Sequence, residues 1–244
     1  MSVRLLLPGA QAGPVRVSGE KFHYLARVLR LGAGDVLRVF DGEGREFPAV
    51  VEALSEAGAL LQLAAAESAP AGRAVWLLQG LPKADKLEWV VQKGTELGAT
   101  DFLPLALERC VVKLDEARGG KKVQRWQSIA DEAARQCGRS DVPTVHAPQP
   151  LSAALKALPE GTVLLVLDEE ARSPGLAEAV RGLAAGSPVA LLVGPEGGLA
   201  RSEVEAARAA GGIPVTVGRR ILRTETAALV ALTAVQLLDG ELGG

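Results

Sequence analysis

Two glycine-punctuated segments toward the C-terminal end hold the residue types from which a ligand site is built. The first, Leu191 to Ala200 (LLVGPEGGLA), leaves an aliphatic run through Gly194, Gly197 and Gly198, with Pro195 stiffening the turn. Glycine permits positive φ and close approach to bare backbone, and proline fixes one dihedral. An adenine or ribose can lie against such a surface beyond the carboxyl end of a strand, although the same pattern also serves as a plain strand-to-helix turn. The second segment, Val215 to Ala227 (VTVGRRILRTETA), leaves a strand at Gly218 and passes two apolar and three cationic residues before a helix that starts near Thr224. Arg219 and Arg220 read as solvated or ion-paired surface. Arg223 differs because it directly precedes the helix, where exposed N–H groups and a guanidinium can jointly hold an anion such as a carboxylate. Glu225, in the first helical turn, reads as compensation of the helix dipole rather than as a general base. Two such loops at one sheet edge favour a pocket over two unrelated turns, and Gly194 and Gly198 are expected to leave space for an adenosine.

The elements around these loops follow from hydrophobic periodicity. From Arg73 onward, short aliphatic runs at Val75–Gln79, Phe102–Leu105, Val163–Leu167, Val189–Val193 and Ile213–Val217 are mostly separated by helical patterns. This alternation predicts an α/β domain with a mainly parallel sheet. Lys86–Leu97 is expected to bury Leu87, Val90, Val91 and Leu97, and the next helix carries a stripe of Val123, Trp126, Ile129, Ala130 and Ala133. Ser202 and Glu205 form a capping-box pattern after the first glycine loop. Upstream, Val3–Leu6, Val36–Phe40, Pro48–Ala53 and Ala59–Ala65 are β-like and separated by turns such as Asp41 to Gly44, which predicts a small barrel. Lys21–Leu31 reads as a helix burying Phe22, Leu25, Val28 and Leu29. Periodicity is lost at Ser68–Gly72, where a linker is expected, giving domains at 1–70 and 73–244.

Composition sets the limits. The 244 residues suffice for two compact units, and no apolar run approaches the roughly 20 residues of a membrane helix. The opening Met-Ser-Val-Arg lacks an apolar signal stretch, so a cytoplasmic location without membrane partners is expected. Cys110 and Cys137 have no metal-ligand spacing and read as buried thiols, and no metal is expected. The absence of Asn suits heat-adapted proteins and GC-rich genomes alike. A net charge of −2 works against indiscriminate nucleic-acid binding. Residues 73–150 nevertheless carry 12 basic and 10 acidic groups, so any RNA contact must be local.

The paired segments LVGPEGGL and GRRILRTETA resemble the signature of the RsmE family, uridine-N3 methyltransferases of small-subunit ribosomal RNA in the SPOUT class. The likeness extends over nearly the whole chain: His23 with Val28 to Arg30 and the Gly34-Asp35 turn, Lys83–Ala99 with its QKxTELG pattern, Glu108-Arg109, and Gln136, Arg139 and Pro143. One position departs, Arg135 standing where the family usually has Glu, so no role of that acid is carried over. The resemblance implies a trefoil-knotted C-terminal α/β domain, a small N-terminal PUA-like β-barrel that binds RNA, and a homodimer. It implies S-adenosyl-L-methionine held by Leu167, Val193, Gly194, Glu196 and Gly198 on one side and Val217, Gly218, Ile221 and Leu222 on the other. It also implies 16S ribosomal RNA or the small ribosomal subunit as partner, with Arg27, Arg30, Lys83 and Arg139 as RNA contacts. General folding rules disfavour threaded chains, so the knot comes from the resemblance alone.

The implied reaction needs alignment more than activation, because the sulfonium cofactor already carries an electrophilic methyl. Uridine N3 bears a proton, and its anion spreads charge onto the flanking carbonyl oxygens, where a cation favours the reactive form. Arg223 is the first candidate for that catalytic cation and Arg139 the second. A non-catalytic RNA-binding module, a methyltransferase for another RNA, and an enzyme using a different adenosyl or nucleotide ligand remain alternatives. A Rossmann dinucleotide site is disfavoured by the absence of GxGxxG after an early strand.

Overall fold

The computed structural model describes residues 3–68, 72–112 and 116–242. The middle of the expected Ser68–Gly72 linker, residues 69–71, lies outside the described residues. The chain divides into two units, Met1–Ala71 with Ala134–Val142, and Gly72–Ala133 with Pro143–Gly244. No helix among the described residues is long and apolar enough to cross a membrane.

The first unit contains β1 (Arg4–Leu6), β2 (Gly13–Val17), α1 (Gly19–His23), β3 (Val36–Phe40), β4 (Arg45–Ser55), β5 (Gly58–Leu63) and β6 (Glu67–Ser68). The sheet order is β1-β3-β4-β5-β2, with β6 on β4; only the β1–β3 pair is parallel. Leu5, Val17, Val39, Phe47, Val51 and Leu61 share one buried cluster, so the sheet wraps a single core in barrel fashion. The expected helix over Lys21–Leu31 is shorter and distorted. Beyond His23 it widens into a π-helical turn at Tyr24–Val28, where the Leu29 N–H donates to the Tyr24 carbonyl at 3.0 Å, five residues back. The wider turn shifts the apolar spacing, so Leu25 is buried but Val28 is 67 % exposed rather than in the core.

The second unit runs β7 (Val75–Gly80), α2 (Lys86–Glu96), β8 (Asp101–Leu105), α3 (Glu116–Cys137), β9 (Thr144–Val145), α4 (Leu151–Ala157), β10 (Val163–Leu167), α5 (Leu176–Arg181), β11 (Val189–Val193), α6 (Arg201–Ala209), β12 (Ile213–Val215) and α7 (Thr224–Leu238). The last turn of α3 belongs to the first unit. The sheet order is β12-β10-β11-β7-β8-β9 and every pairing is parallel. All strand ends therefore point one way, and Val215, Leu167, Val193 and Gln79 form a row across the carboxyl edge. Helix α7 packs on β7, β11, α2 and α5, burying Ala228, Ala231, Leu232 and Val235. Arg73 grips its far end through a two-pronged ion pair with Asp239, at 2.5 and 2.8 Å. The sequence expectation that both thiols are buried needs correction: Cys110 is half-buried, and Cys137 is exposed because it occupies the last helical position of α3.

The turn from Asp41 to Gly44 is held by a buried carboxylate. Asp41 accepts hydrogen bonds from the N–H groups of Glu43 (2.8 Å) and Arg45 (3.0 Å) and from the Arg45 guanidinium (2.5 Å). Burial alone would raise its pKa, but those donors outweigh it and hold the carboxyl below its ordinary 3.8. A depressed folded pKa stabilises the fold above the unfolded value and loses that stabilisation as pH falls through the folded one. Asp41→Asn is therefore expected to lower the urea midpoint at neutral pH. The gap from wild type should be full above about pH 5 and close in strong acid; a gap independent of pH would contradict the account.

Candidate functional site

The two glycine loops meet at the carboxyl edge of the parallel sheet. Loop 194–199 follows β11 and loop 216–223 follows β12, with the end of β10 between the two strands. Three segments are tied together by Thr224, the first residue of α7. Its buried hydroxyl donates to the Gly194 carbonyl at 2.5 Å and accepts from Gln79 Nε2 at 2.8 Å.

The first loop folds tightly on itself. A Cβ at Gly194 would lie 2.7 Å from the Gly198 carbonyl carbon and 2.8 Å from the Leu199 nitrogen. Glycine at 194 is therefore required by the loop's own backbone, at a position that also lines the cleft described below. Gly198 has φ +71° and would bring a Cβ to 3.4 Å from the Glu169 carboxylate. The capping-box expectation also changes partners. Helix α6 starts one residue earlier than Ser202, and Glu203 reaches back to the Ala200 N–H at 2.8 Å while also accepting from the Glu108 N–H at 2.8 Å.

Charge pins the loops as well. Glu196 accepts from the Lys83 N–H and from Lys86 Nζ, both at 3.0 Å, and Lys86 also lies 3.2 Å from Glu225. Burial opposes ionisation of Glu196, yet the Lys86 ammonium and the Lys83 N–H lower its pKa, while the same contact with Glu196 raises that of Lys86. Both groups thus stay charged across the neutral range. Glu225 faces a lysine partner in addition to its position in the first turn of α7. Beyond β10, Asp168 accepts from the Glu170 N–H at 3.0 Å and from Arg201 at 3.1 Å.

A cleft of about 520 Å³ opens between these loops, within the range of about 300–1,000 Å³ typical of small-molecule sites. Leu167, Val193, Gly194, Glu196 and Gly198 line one part of it, and Val217, Gly218, Ile221, Leu222 and Arg223 another. The structure thus brings all ten of these sequence-predicted residues to one place. Val217 gets there because β12 ends at Val215, two residues before the expected strand end. Among the lining residues that the sequence did not single out for the site are the charged Lys86, Asp168, Glu169, Glu170 and Arg172. Only a charge next to a strand end could have drawn attention to them.

The expected RNA contacts lie elsewhere. Arg27 and Arg30 are exposed on the first unit, Arg30 with the left-handed φ of +55°. Lys83 is exposed and does not line the cleft. Arg139, second choice for the reaction, also does not line it; its guanidinium pairs with Asp141.

Comparison with known proteins follows this division. An RNA methyltransferase domain model matches residues 69–236, and an RNA methyltransferase PUA domain model matches residues 17–63. The chain is 37 % identical to ribosomal RNA small subunit methyltransferase E of Bacillus subtilis, over 95 % of this chain and 94 % of that one. The chain belongs to the RsmE family. Its Synechocystis relative of the same name is 36 % identical over 98 % of this chain and 78 % of the other. Among solved structures, the RsmE of Neisseria gonorrhoeae bound to S-adenosyl methionine superposes with TM-score 0.84 at 31 % identity, covering 98 % of both chains. A Legionella pneumophila methyltransferase with bound SAM gives 0.84 at 32 % identity, covering 97 % of this chain and 98 % of that one. Arg135, the position that departs from the RsmE pattern, places its guanidinium 5.1 Å from the centre of the Tyr24 ring, a contact a glutamate could not make favourably.

The self-packed loop has a measurable consequence. Gly194→Ala forces backbone against backbone and should cost about 2 kcal/mol or more, lowering Tm by roughly 4–8 °C. Gly197→Ala brings its Cβ to 3.1 Å from Arg109 Cβ, a tight contact that a shift of a few tenths of an ångström relieves rather than an overlap of backbone with backbone, and should cost less than half as much. Equal shifts in differential scanning calorimetry would contradict this reading of the loop.

Proposed function

We propose that this chain transfers a methyl group from S-adenosyl-L-methionine to N3 of a uridine in 16S ribosomal RNA, free or within the small subunit. The observation that carries the reading is the cleft in which the two loops of an RsmE-family chain converge at the carboxyl edge of a parallel sheet. Residues 73–244 act as the SPOUT methyltransferase domain and residues 1–70 as a PUA-like barrel that contacts RNA. The trefoil knot belongs to the same proposal. It is supported by the chain's path, which leaves edge strand β12 and returns through residues 216–223 to lay α7 against β11 and β7.

The cleft suits an adenosyl ligand. Leu167, Val193, Val217 and Leu222 offer apolar walls, and among the described residues the N–H groups of residues 219–223 have no hydrogen-bond partner. Those donors remain available to a base edge or a carboxylate. When bound, S-adenosyl-L-methionine supplies an electrophilic methyl on a sulfonium. The chain's residues orient the two reactants and exclude water. Arg223 sits at the N-cap of α7, exposed to the cleft and without an ion-pair partner among the described residues, next to the positive end of the helix. Its guanidinium stabilises negative charge on the uridine carbonyl oxygens once the N3 proton has passed to solvent hydroxide, leaving the N3 lone pair to take the methyl.

Small subunits from a deletion strain should accept tritiated methyl from the cofactor, and primer extension should place the mark on one uridine. Arg223→Ala should slow single-turnover transfer by about 10²–10³-fold with little loss of RNA affinity, and Arg223→Lys should recover little, since a point charge does not reproduce the planar fork. No transfer by the wild-type protein despite tight binding would reduce it to a binding module. A normal rate for Arg223→Ala would remove that residue from the chemistry.

A homodimer is the second part of the proposal. Helix α7 buries one face, yet Val230, Leu237 and Leu238 on its remainder are 40, 55 and 38 % exposed. An apolar helix surface of this kind suits a symmetric interface. Sedimentation at micromolar concentration should give a particle of about twice the 25.3 kDa chain mass, and a single-chain mass would overturn the assignment.

A further inference from the structure

The arginines of the second unit fall into two groups. Arg73 is bound to Asp239, Arg109 to the Gly197 carbonyl, Arg125 to Glu88, and Arg201 to Asp168 and Glu170, while Arg208 lies 3.9 Å from Glu205. Among the described residues, Arg172, Arg219, Arg220 and Arg223 make no side-chain hydrogen bond or ion pair, and all four line the same cleft. Arg181, on α5, shares that condition away from the cleft among the described residues. A shortage of acids does not explain it, because the chain is net negative and Glu169 lines the same cleft without an ion-pair partner among the described residues. Clustered cations repel one another in the free protein, and the arrangement becomes favourable when anions arrive.

The anionic demand exceeds what the cofactor offers. S-adenosyl-L-methionine carries a single carboxylate, which the free N–H groups of residues 219–223 and the positive start of α7 suffice to hold. Arg172, Arg219 and Arg220 are exposed residues, two of them consecutive in a loop with unpaired N–H groups. Guanidinium groups bind phosphate through paired donors, and a single-stranded RNA passing the cleft mouth presents one phosphate per nucleotide. Ile221, 84 % exposed between Arg220 and Arg223, adds apolar surface for a ribose or base.

We propose that Arg219 and Arg220, with Arg172 from the loop after β10, form a phosphate-binding rim that holds single-stranded RNA on either side of the target nucleotide. The inference rests on the methyltransferase reading. It places RNA contacts of the catalytic unit at the cleft itself, apart from Lys83 and from those expected of the first unit.

The test measures binding of the full-length protein to unmethylated small ribosomal subunits across a potassium chloride series, alongside calorimetric titration with S-adenosyl-L-methionine alone. The double variant Arg219→Ala/Arg220→Ala should bind subunits at least about tenfold more weakly, with a salt slope shallower by about 1.4, or about 0.7 for each single-strand phosphate that is no longer neutralised. Its cofactor affinity should stay within about twofold of wild type, which also reports a folded cleft. Arg219→Lys/Arg220→Lys should keep the wild-type slope, since charge rather than fork geometry sets counterion release. If the alanine pair does not fold, Arg219→Gln/Arg220→Gln replaces it with the same expected slope. An unchanged slope overturns the proposal, as does a loss of cofactor affinity with the slope intact, which would assign both arginines to the carboxylate. Wild-type protein that binds subunits with this arginine-dependent slope but transfers no methyl would sink the methyltransferase reading while leaving the rim in place.

Discussion

A single buried hydroxyl governs how the second unit is assembled. Thr224 joins the end of β7, through Gln79, to the carbonyl of Gly194 after β11, and it does so from the first position of α7. Buried polar groups of this kind hold their geometry because each lost partner leaves a desolvated donor or acceptor. The packing around the contact is equally tight: a Cβ at Gly80 would come within 2.7 Å of Pro195. Strand, loop and helix are thus fixed to one another before either glycine loop makes a choice of its own. Given that anchor, residues 216–223 can extend beyond regular structure and keep their donors free for a ligand.

The electrostatic layout follows the same division. Carboxylates beyond β10 and β11 are largely occupied, Asp168 and Glu170 by Arg201 and Glu196 by Lys86, so their charge stiffens the frame. Guanidiniums on the loop after β12 have no ion-pair partner among the described residues. A cleft with a neutralised frame and a cationic lip suits a small sulfonium compound inside and a polyanion outside. The overall charge of the chain conveys none of this, because only the placement of the unpaired groups matters.

Much of the fold was legible in the chain itself, for reasons that differ by element. Val163–Leu167 and Val189–Val193 were readable to the residue because central parallel strands are buried on both faces and so appear as unbroken aliphatic runs. Strand β2 escaped notice because it opens on Gly13-Pro14 at a sheet edge, and β9 because two residues carry no period. The helix at Lys21–Leu31 misled because a π-helical turn adds a residue to the repeat and rotates Val28 outward. Glycine loops announced the cleft, since glycine marks backbone that must bend or approach closely. The residues that hold those loops did not announce themselves: Thr224 and Gln79 are 145 positions apart, Lys86 and Glu196 are 110 apart, and neither pair has a local signature.

The seating of α7 over β7 and β11 also has a consequence in time. Leu77, Leu165 and Leu191, which alternate with the residues buried beneath α6, belong to strands made well before residues 224–238. At bacterial elongation rates of about 5–20 residues per second, some 2–9 seconds separate completion of β11 from completion of α7. Throughout that interval the growing chain lacks the complete helix that seats on two of its central strands and anchors the second wall of the cleft. Competence begins only as translation of these segments finishes, and a message cut short upstream of residue 224 yields an apolar sheet face for chaperones and proteases to recognise.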